Sequence, residues 1–302
     1  MNVYEIITDR IIKQMEEGII PWEKPWVNTS GTQVARSHND GRVYSLLNAM
    51  LVGIPGEYTT ITQIKKENAQ LKPQHMKSIV VKWGQNSKPV LDKDGKEKLD
   101  ENGKPRMATH WFLRYYQVYN IEDVEGMKPK WVFSKGPVAH NTPKEEIDKT
   151  VAEYLNRSGV TLRHYEQGRS YYKPSADEII LPHMNQFYNA ESYYATLFHE
   201  MGHSTGIAER LNRKMGGNFG DEEYSAEELV AEITSAVLCN HFGIDTSKIQ
   251  RNTTAYLQNW LSVLKGDSKM IVSAASKAEK AVKYILNIKD EKEVPANEVI
   301  DS

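Results

Sequence analysis

The stretch LFHEMGHSTG, residues 197–206, places His199 and His203 four residues apart in the chain. Residues at this spacing lie on one face of an α-helix, so both imidazoles can approach the same metal ion. Glu200 is rotated by about 100° from His199 on such a helix, which puts its carboxylate beside the ion rather than among the ligands. There it can take a proton from a metal-activated water. The spacing therefore predicts a catalytic metal site in which Glu200 is the base.

The alternative is that two histidines merely happen to lie on one exposed helix. In this sequence they lie in an apolar segment that also contains Leu197, Phe198 and Met201. Burying two imidazoles and a carboxylate without partners would be costly, which favours the metal site. A pair of histidines with a carboxylate is typical of catalytic zinc, so we predict Zn²⁺, with Mn²⁺ or another divalent ion as the alternative.

A catalytic zinc site needs a third protein ligand, which we expect from a later element. The segment 221–243 is a predicted helix on which Glu228 and Glu232 share a face. We predict Glu228 as the ligand, Glu232 as the alternative ligand or the partner that orients a histidine, and Glu227 as less favoured. The other interpretation is that these are solvated acids at a helix start. Ser225 and Glu228 also match a capping box, which would begin the helix after Ser225.

The elements around this motif are also predictable. ADEIILP, residues 176–182, has the composition of a strand that ends at Pro182, and it could align a peptide substrate as an added strand. The helix with the histidines is predicted from about Glu191, with Gly202 and Gly206 marking its end. AYLQNWLSVLKGDSKMIVSAASKAEKAVKYIL, residues 255–286, is a predicted helical pair that closes the domain.

The composition of the whole chain is that of a soluble globular protein. It has 302 residues, 39% of them hydrophobic and 26% charged. We find no apolar run near the roughly 18 residues of a membrane helix, and no secretory signal at the N-terminus. The one cysteine, Cys239, excludes an intramolecular disulfide framework. These features predict a cytoplasmic protein without membrane association.

Two chemically different parts can be distinguished along the chain. Residues 1–135 carry 20 Lys and Arg against 16 Asp and Glu, whereas residues 136–302 carry 18 against 24. Five of the six tryptophans lie in the first part. KGPVAHNTP, residues 135–143, is a polar stretch with Gly and Pro, followed by a predicted helix that Thr142 could cap. We predict an α+β fold in two domains with the bounds 1–135 and 143–288, a linker at 136–142 and a polar tail at 289–302.

The first part combines cations with aromatic residues. Residues 36–88 contain eight Lys and Arg against three acids, and aromatic residues lie among or near them: Tyr44, Tyr58, Trp83, Trp111, Tyr115 and Tyr116. Cations that follow phosphates and rings that stack on bases hold single strands without reading sequence. The alternative is an ordinary surface over a Trp-rich core, and we expect Trp22 and Trp26 to be packing anchors. SIVVKW and HWFLRYYQVYN are predicted strands, joined by an exposed hairpin or loop at 88–107.

YYATLFHEMGHSTGIAERLNR followed by YSAEELVAEITSAVL resembles the zincin-type metallopeptidase domain of ArdC-type antirestriction proteins. IPWEKPW, GRVYSLLNAML and TTITQIKKENAQLK resemble the N-terminal single-stranded-DNA-binding domain of that family. The resemblance implies a bacterial protein of a conjugative plasmid or other mobile element, acting in the cytoplasm, for instance of a conjugation recipient. It also implies single-stranded DNA as a partner. The candidate DNA-binding residues are Arg36, Arg42, Tyr44, Asn48, Lys65, Lys66 and Trp83.

Two functions of different class follow. The first is a two-domain metalloprotease in which Glu200 activates water for attack on a peptide bond, with a protein substrate such as a host defence protein. The second is a protection factor that occludes single-stranded DNA from restriction enzymes, with the metal site structural or non-proteolytic. An intact Glu200 favours the first, because a purely structural site has no need of a base. A nuclease is disfavoured, because no second carboxylate cluster for a second metal is evident.

Overall fold

The computed structural model describes residues 2–23, 34–131, 144–215, 222–249 and 253–289. These residues form an α+β structure in two compact units, as the sequence predicts. Over the described residues, the first unit falls within Met1–Pro21, Trp26–Gly136 and Leu257–Val272, and the second within Trp22–Pro25, Pro137–Tyr256 and Ser273–Ser302. Each unit is built from separate stretches of the chain, because Trp22–Pro25 groups with the second unit and Leu257–Val272 with the first. The predicted domains, 1–135 and 143–288, are each one continuous stretch. Those domain bounds stay a prediction, and the linker and most of the tail lie outside the described residues.

The chain begins with elements of the first unit. In order they are α1 (Val3–Glu16), β1 (Ala35–Ser37), α2 (Leu46–Val52), β2 (Gly56–Thr59), α3 (Ile61–Lys66), β3 (Gln70–Leu71), β4 (Lys77–Pro89), β5 (Met107–Asn120) and β6 (Val124–Glu125). The remaining elements are α4 (Lys144–Ser158), β7 (Thr161–Tyr165), β8 (Tyr171–Lys173), β9 (Glu178–Pro182), α5 (Ala190–Ser204), α6 (Glu222–His241), α7 (Thr253–Gly266) and α8 (Met270–Ile285).

The first unit is built on a four-stranded sheet with the order β1-β2-β5-β4. The two predicted strands are confirmed as β4 and β5, which pair antiparallel from Lys77 opposite Tyr119 to Pro89 opposite Met107. At the base of this pair Val118 packs in a core cluster with Ala35, Val52 and Tyr58. Because β2 pairs with β5 only at Tyr119 and Asn120, most of the β4–β5 pair extends as a two-stranded ribbon.

Residues 90–106 continue the ribbon as an exposed hairpin, as predicted. The carboxylates of Asp92 and Asp100 each accept hydrogen bonds from two main-chain amides within the next four residues. Gly95 and Gly103 follow in the left-handed region, with φ of 78° and 73°. Each turn therefore uses an aspartate to fix the loop and a glycine to close it.

The second unit contains a three-stranded sheet with the order β7-β9-β8. The predicted strand 176–182 is present as β9, but it lies in the middle of the sheet, parallel to β7 and antiparallel to β8. The expectation that it aligns a substrate as an added strand is therefore wrong, because both of its edges are occupied over Glu178–Ile180. The edge strands of this sheet are β7 and β8.

Helix α5 follows this sheet and packs against α6. Asn189 caps α5 through its side chain, which accepts a hydrogen bond from the amide of Ser192 at 2.8 Å. A Cβ on Gly202 would lie 3.1 Å from the Cα of Ala231, so glycine permits the close approach of the two helices. Leu197, Phe198 and Met201 are buried. The apolar segment predicted around the histidines is thus a core helix.

Three expectations for the flanking elements need correction or completion. Helix α6 already begins at Glu222, so Ser225 lies inside it and the predicted capping box is wrong. The helical pair at 255–286 is confirmed as α7 and α8, but residues 257–272 group with the first unit rather than closing the second. Trp22 is fully buried, and its Nε1 donates to the hydroxyl of Tyr256. Trp26, Thr142 and Pro143 lie outside the described residues. Every helix in the described part of the chain is too short or too polar to cross a membrane.

Candidate metal centre

The predicted histidines face the same point between α5 and α6. The Nε2 atoms of His199 and His203 are 3.1 Å apart, because four residues make about one helical turn. Both side chains are largely buried. The helix alone therefore brings two candidate nitrogen ligands together, which the sequence spacing predicts.

Helix α6 brings the predicted third ligand to the same point. Glu228 Oε2 lies 3.5 Å from His199 Nε2, and Glu228 Oε1 lies 3.5 Å from His203 Nε2. In a tetrahedral site with metal–ligand bonds of about 2.0–2.1 Å, neighbouring ligand atoms are about 3.4 Å apart. Two imidazoles and one carboxylate are a common ligand set of catalytic zinc. The three side chains thus match a divalent metal ion in both donor type and spacing.

Glu232 lies one turn further along α6, on the outer side of His199. Its Oε1 is 3.6 Å from His199 Nδ1, and its Oε2 accepts a hydrogen bond from the hydroxyl of Tyr256 at 3.2 Å. It therefore faces the ring nitrogen opposite the one that points at Glu228. This position suits the predicted role of orienting a histidine better than the alternative role of third ligand.

The less favoured Glu227 makes the corresponding contact with the other histidine. Its Oε1 is 3.4 Å from His203 Nδ1. The same carboxylate is held by Arg213, whose Nη2 and Nε donate to it at 2.6 and 2.9 Å. Each histidine therefore has a carboxylate near its Nδ1, within hydrogen-bond distance for His203 and just beyond it for His199. This arrangement favours the tautomer that leaves Nε2 for a metal.

Arg213 is a further residue of the site that no local pattern in the sequence predicts. It is almost fully buried and also donates to the carbonyl of Gly202 and the hydroxyl of Thr205, at 2.8 and 2.7 Å. It thereby ties the end of α5 to Glu227 on α6. Its position in an irregular segment after the helix offers no periodic signal in the sequence.

A second arginine fixes the turn that follows α5. Arg210 donates to the carbonyl of Ser204 at 2.6 Å and to the carboxylate of Asp177, which precedes β9. Asp177 also accepts from the hydroxyl of Tyr172 on β8 and has a φ of 51°. Hydrogen bonds from Arg210 and Tyr172 hold the pKa of Asp177 below its ordinary value although burial opposes this. The sheet and the metal-site helix are therefore joined by a charged contact.

Glu200 lies beside the ligands with only 6% of its surface exposed. Burial raises the pKa of this carboxyl, while His199 and His203 act in the opposite direction. The main-chain amide of Tyr172, on β8, contributes a hydrogen bond that favours the charged form. A buried carboxyl with a raised pKa is suited to accept and release a proton near neutral pH.

The surrounding charges favour a cation at this point. Burial acts to lower the pKa of His203, but hydrogen bonds with Glu227 and Glu228 raise it to about 10. Burial likewise opposes the raised pKa of His199, which Glu228 supports. The two histidines in turn hold the pKa of Glu228 well below its usual range, although burial acts to raise it. The carboxylates thus create a negative potential that a divalent ion can neutralise.

The predicted DNA-binding residues of the first unit lie in different environments. The Asn48 side chain exchanges two hydrogen bonds with the main chain of Val81, and Tyr44 packs on Tyr58 with ring centroids 5.9 Å apart. The side chains of Asn48 and Tyr44 therefore make contacts that stabilise the fold. The Arg36 guanidinium lies 5.4 Å from the ring centroid of Trp131. Arg42, Lys65, Lys66 and Trp83 are exposed, so they remain candidates.

Comparisons with known proteins agree with this two-part structure. Residues 1–119 match the family described as the N-terminal domain of anti-restriction factor ArdC, and residues 149–277 match a family of zincin-like metallopeptidases. Crystal structures of the antirestriction ArdC protein from plasmid R388 are similar over almost the whole chain, at 29% identity. The TM-score is 0.65 for the metal-free form and 0.66 for the Mn(II)-bound form, with 94% and 95% of this chain and 97% and 98% of the other chain covered.

Curated relatives differ in length. A DNA primase TraC of Escherichia coli is 33% identical over 297 residues, which are 94% of this chain and 27% of TraC. The uncharacterised protein y4eC of Sinorhizobium fredii is 28% identical and is covered over 91% of its length. The chain thus spans about a quarter of that TraC primase but nearly all of y4eC. The zincin-like family and the Mn(II)-bound ArdC structure together indicate a divalent metal at the site.

Proposed function

We propose that this chain, which combines an ArdC-type N-terminal domain with a zincin-like domain, is an antirestriction protein that binds single-stranded DNA and hydrolyses a peptide bond at its candidate metal centre. The observation that carries the enzymatic part is the cluster of His199, His203 and Glu228, whose ligand atoms lie within 4.8 Å of one another. The buried Glu200 lies next to this cluster.

The metal is zinc in this proposal, with manganese as the alternative. His199, His203 and Glu228 would hold the ion, and His₂Glu sites are common for catalytic zinc. The Mn(II)-bound ArdC structure supports the alternative. When bound, such an ion acts as a Lewis acid that polarises a peptide carbonyl and lowers the pKa of water.

Glu200 is the general base and acid of the reaction. Its carboxylate accepts a proton from the attacking water and donates it to the leaving amine, for which its raised pKa is suited. The Tyr172 amide holds the carboxylate in place. A peptide substrate that adds as a strand would pair with β8, the edge strand that carries Tyr172, rather than with β9.

The similarity to ArdC also supports a proposal for the cellular setting. In this proposal the protein is encoded by a mobile element. It acts in the bacterial cytoplasm, where single-stranded DNA enters a recipient during conjugation. A host defence protein near that DNA is the proposed class of substrate. The alternative is that DNA binding alone occludes restriction enzymes and that the metal site is structural or non-proteolytic. The exposed aromatic side chains on β4 and β5 favour a contribution from DNA binding.

The test compares wild type, Glu200→Gln and His199→Ala in one preparation scheme. Metal content is measured by mass spectrometry, DNA binding by anisotropy of labelled single and double strands, and peptide hydrolysis with a mixed peptide library. We expect wild type and Glu200→Gln to hold one ion per chain, His199→Ala to lose it, and all three to bind single strands. Hydrolysis should disappear in both variants. If wild type holds metal but cleaves the same peptides as Glu200→Gln, or none at all, the result supports the occlusion alternative.

A further inference from the structure

The ribbon of β4 and β5 has an unusual charge composition. The two strands contain four cations, Lys77, Lys82, Lys88 and Arg114, and no Asp or Glu. The hairpin at 90–106 that connects them carries five Lys and Arg against five Asp and Glu. The positive charge is therefore confined to the strands, and the hairpin at their end is electrically balanced.

One face of the ribbon carries exposed aromatic rings around a buried aliphatic residue. Trp83 lies opposite Leu113, and Trp111 and Tyr115 flank Leu113 on the same face of β5. Trp83 is 49% exposed and Trp111 is 64% exposed, whereas Leu113 between them is 8% exposed. Cross-strand diagonal neighbours are about 7–8 Å apart, so the three rings lie near one another on this face. Rings of this size are usually covered in a folded domain.

The other face carries cations. Lys82 lies directly opposite Arg114, and Phe112 lies opposite Gly84. A Cβ on Gly84 would be 2.6 Å from the Phe112 ring, so this ring rests on the glycine. The Arg114 guanidinium lies 4.6 Å from the centroid of the same ring. Like charges directly opposite each other are unfavourable in a sheet unless an anion lies near them.

We propose that this ribbon is the surface that binds single-stranded DNA, with bases stacked on Trp83, Trp111 and Tyr115. Lys82 and Lys88 extend from β4, which is an edge strand, so they can reach phosphates along that edge. Stacking platforms combined with cations and without carboxylates are the recognition mode of single strands. The inference rests on the proposed DNA binding and gives it a location. That location differs from the candidates Asn48 and Tyr44, whose side chains serve the fold.

A protein partner would be expected to favour a different surface. Interfaces between proteins are depleted in Lys as well as in Asp and Glu, whereas this ribbon keeps three lysines and one arginine and lacks acids, the composition that a polyanion favours. Another strand cannot pair with β4 at Val81, because the Asn48 side chain already hydrogen-bonds to the main-chain N–H and C=O of that residue. The charge pattern therefore favours nucleic acid over a second copy of the chain.

The test measures binding of a labelled oligothymidylate by full-length variants at two salt concentrations. Trp83→Ala and Trp111→Ala should each weaken binding by about 5- to 150-fold, the range for loss of one base–ring contact. Trp83→Phe and Trp111→Phe should retain most of the affinity, because a ring remains. Lys82→Ala and Lys88→Ala should each reduce the salt slope by about 0.7. Circular dichroism and metal content confirm that each variant is folded.

Two matched controls come from the same chain. Tyr188→Ala removes an exposed ring from the second unit, and Lys93→Ala with Lys98→Ala removes cations from the balanced hairpin. We expect both controls to bind as wild type. If the ribbon variants bind as wild type while wild type binds single strands, the location is wrong. A loss of self-association with unchanged DNA binding would also overturn it. Absence of binding by wild type would instead refute the DNA-binding part of the proposed function.

Discussion

The candidate metal centre and the ribbon differ in the exposure and pairing of their charged side chains. At the candidate metal centre the charged groups are buried or half-buried and have partners: Glu227 pairs with Arg213, and Glu228 faces both histidines. On the ribbon the cations and rings are exposed, and the two strands contain no carboxylate. A buried network positions groups for chemistry, whereas an exposed surface gains affinity by adding similar contacts. We therefore expect substitutions to have large, coupled effects at the centre and graded, additive effects on the ribbon.

The strongest test of this difference away from the ligands is Arg213→Ala. It leaves Glu227 buried without its cation and His203 without a held partner. We expect a loss of about 3–5 kcal/mol in the free energy of unfolding and a roughly 10- to 100-fold loss of metal affinity. Urea denaturation and metal titration measure the two effects.

The matched control for that substitution is Arg163→Ala. Arg163 donates to Glu178 at 2.7 Å, but the pair is on the surface. Surface pairs contribute about 0–1 kcal/mol, so this variant should keep both stability and metal affinity. Equal effects of the two substitutions would show that the buried network has no special role.

A smaller effect is expected at His241, which lies in the second unit away from the ligands. Burial lowers the pKa of this imidazole to about 4, and its Nδ1 has no hydrogen-bond partner within the described structure. The neutral form is therefore favoured in the folded state. The contribution of neutral His241 to the free energy of unfolding should be fully present above about pH 6.5. The free energy of unfolding should fall by about 1–3 kcal/mol as the pH drops towards 4. His241→Gln should flatten this dependence in urea denaturation at several pH values.

This measurement also separates two causes of acid sensitivity. Protonation of the metal ligands would release metal, whereas protonation of His241 would destabilise the fold. If His241→Gln loses stability with acid as steeply as wild type, His241 is not the responsible group.

The smallest expected effect is on the stability of Trp111→Ala. Since this ring is mostly exposed, the free energy of unfolding should change by about 0.5 kcal/mol or less. Leu113→Ala, two residues along the same strand, removes a buried side chain and should cost about 2–5 kcal/mol. A large loss in Trp111→Ala would mean that the ring serves the fold, contrary to the ribbon proposal.

Local patterns in the sequence predict the elements that carry the chemistry. The spacing of His199 and His203 implies one helical face, and the strands β4 and β5 follow from their β-branched and aromatic composition. Glu228 could be favoured as a ligand because catalytic sites need a third donor from a later helix. These features depend on interactions between residues close in the chain, which is why they are readable.

Other features depend on which segments meet in three dimensions. Arg213 contacts Glu227 from an irregular segment, β9 lies in the middle of its sheet, and Ser225 lies inside α6. Asn48 serves the edge of β4 rather than a ligand.

The sequence by itself determined that His199 and His203 share one helical face with Glu200 beside them, and that cations and rings are concentrated in the first part. Only the tertiary structure decided which carboxylate faces which ring nitrogen, and which rings stay exposed on the ribbon. The reason is physical: helical spacing is set by local backbone geometry, whereas burial and pairing are set by contacts between residues distant in the chain.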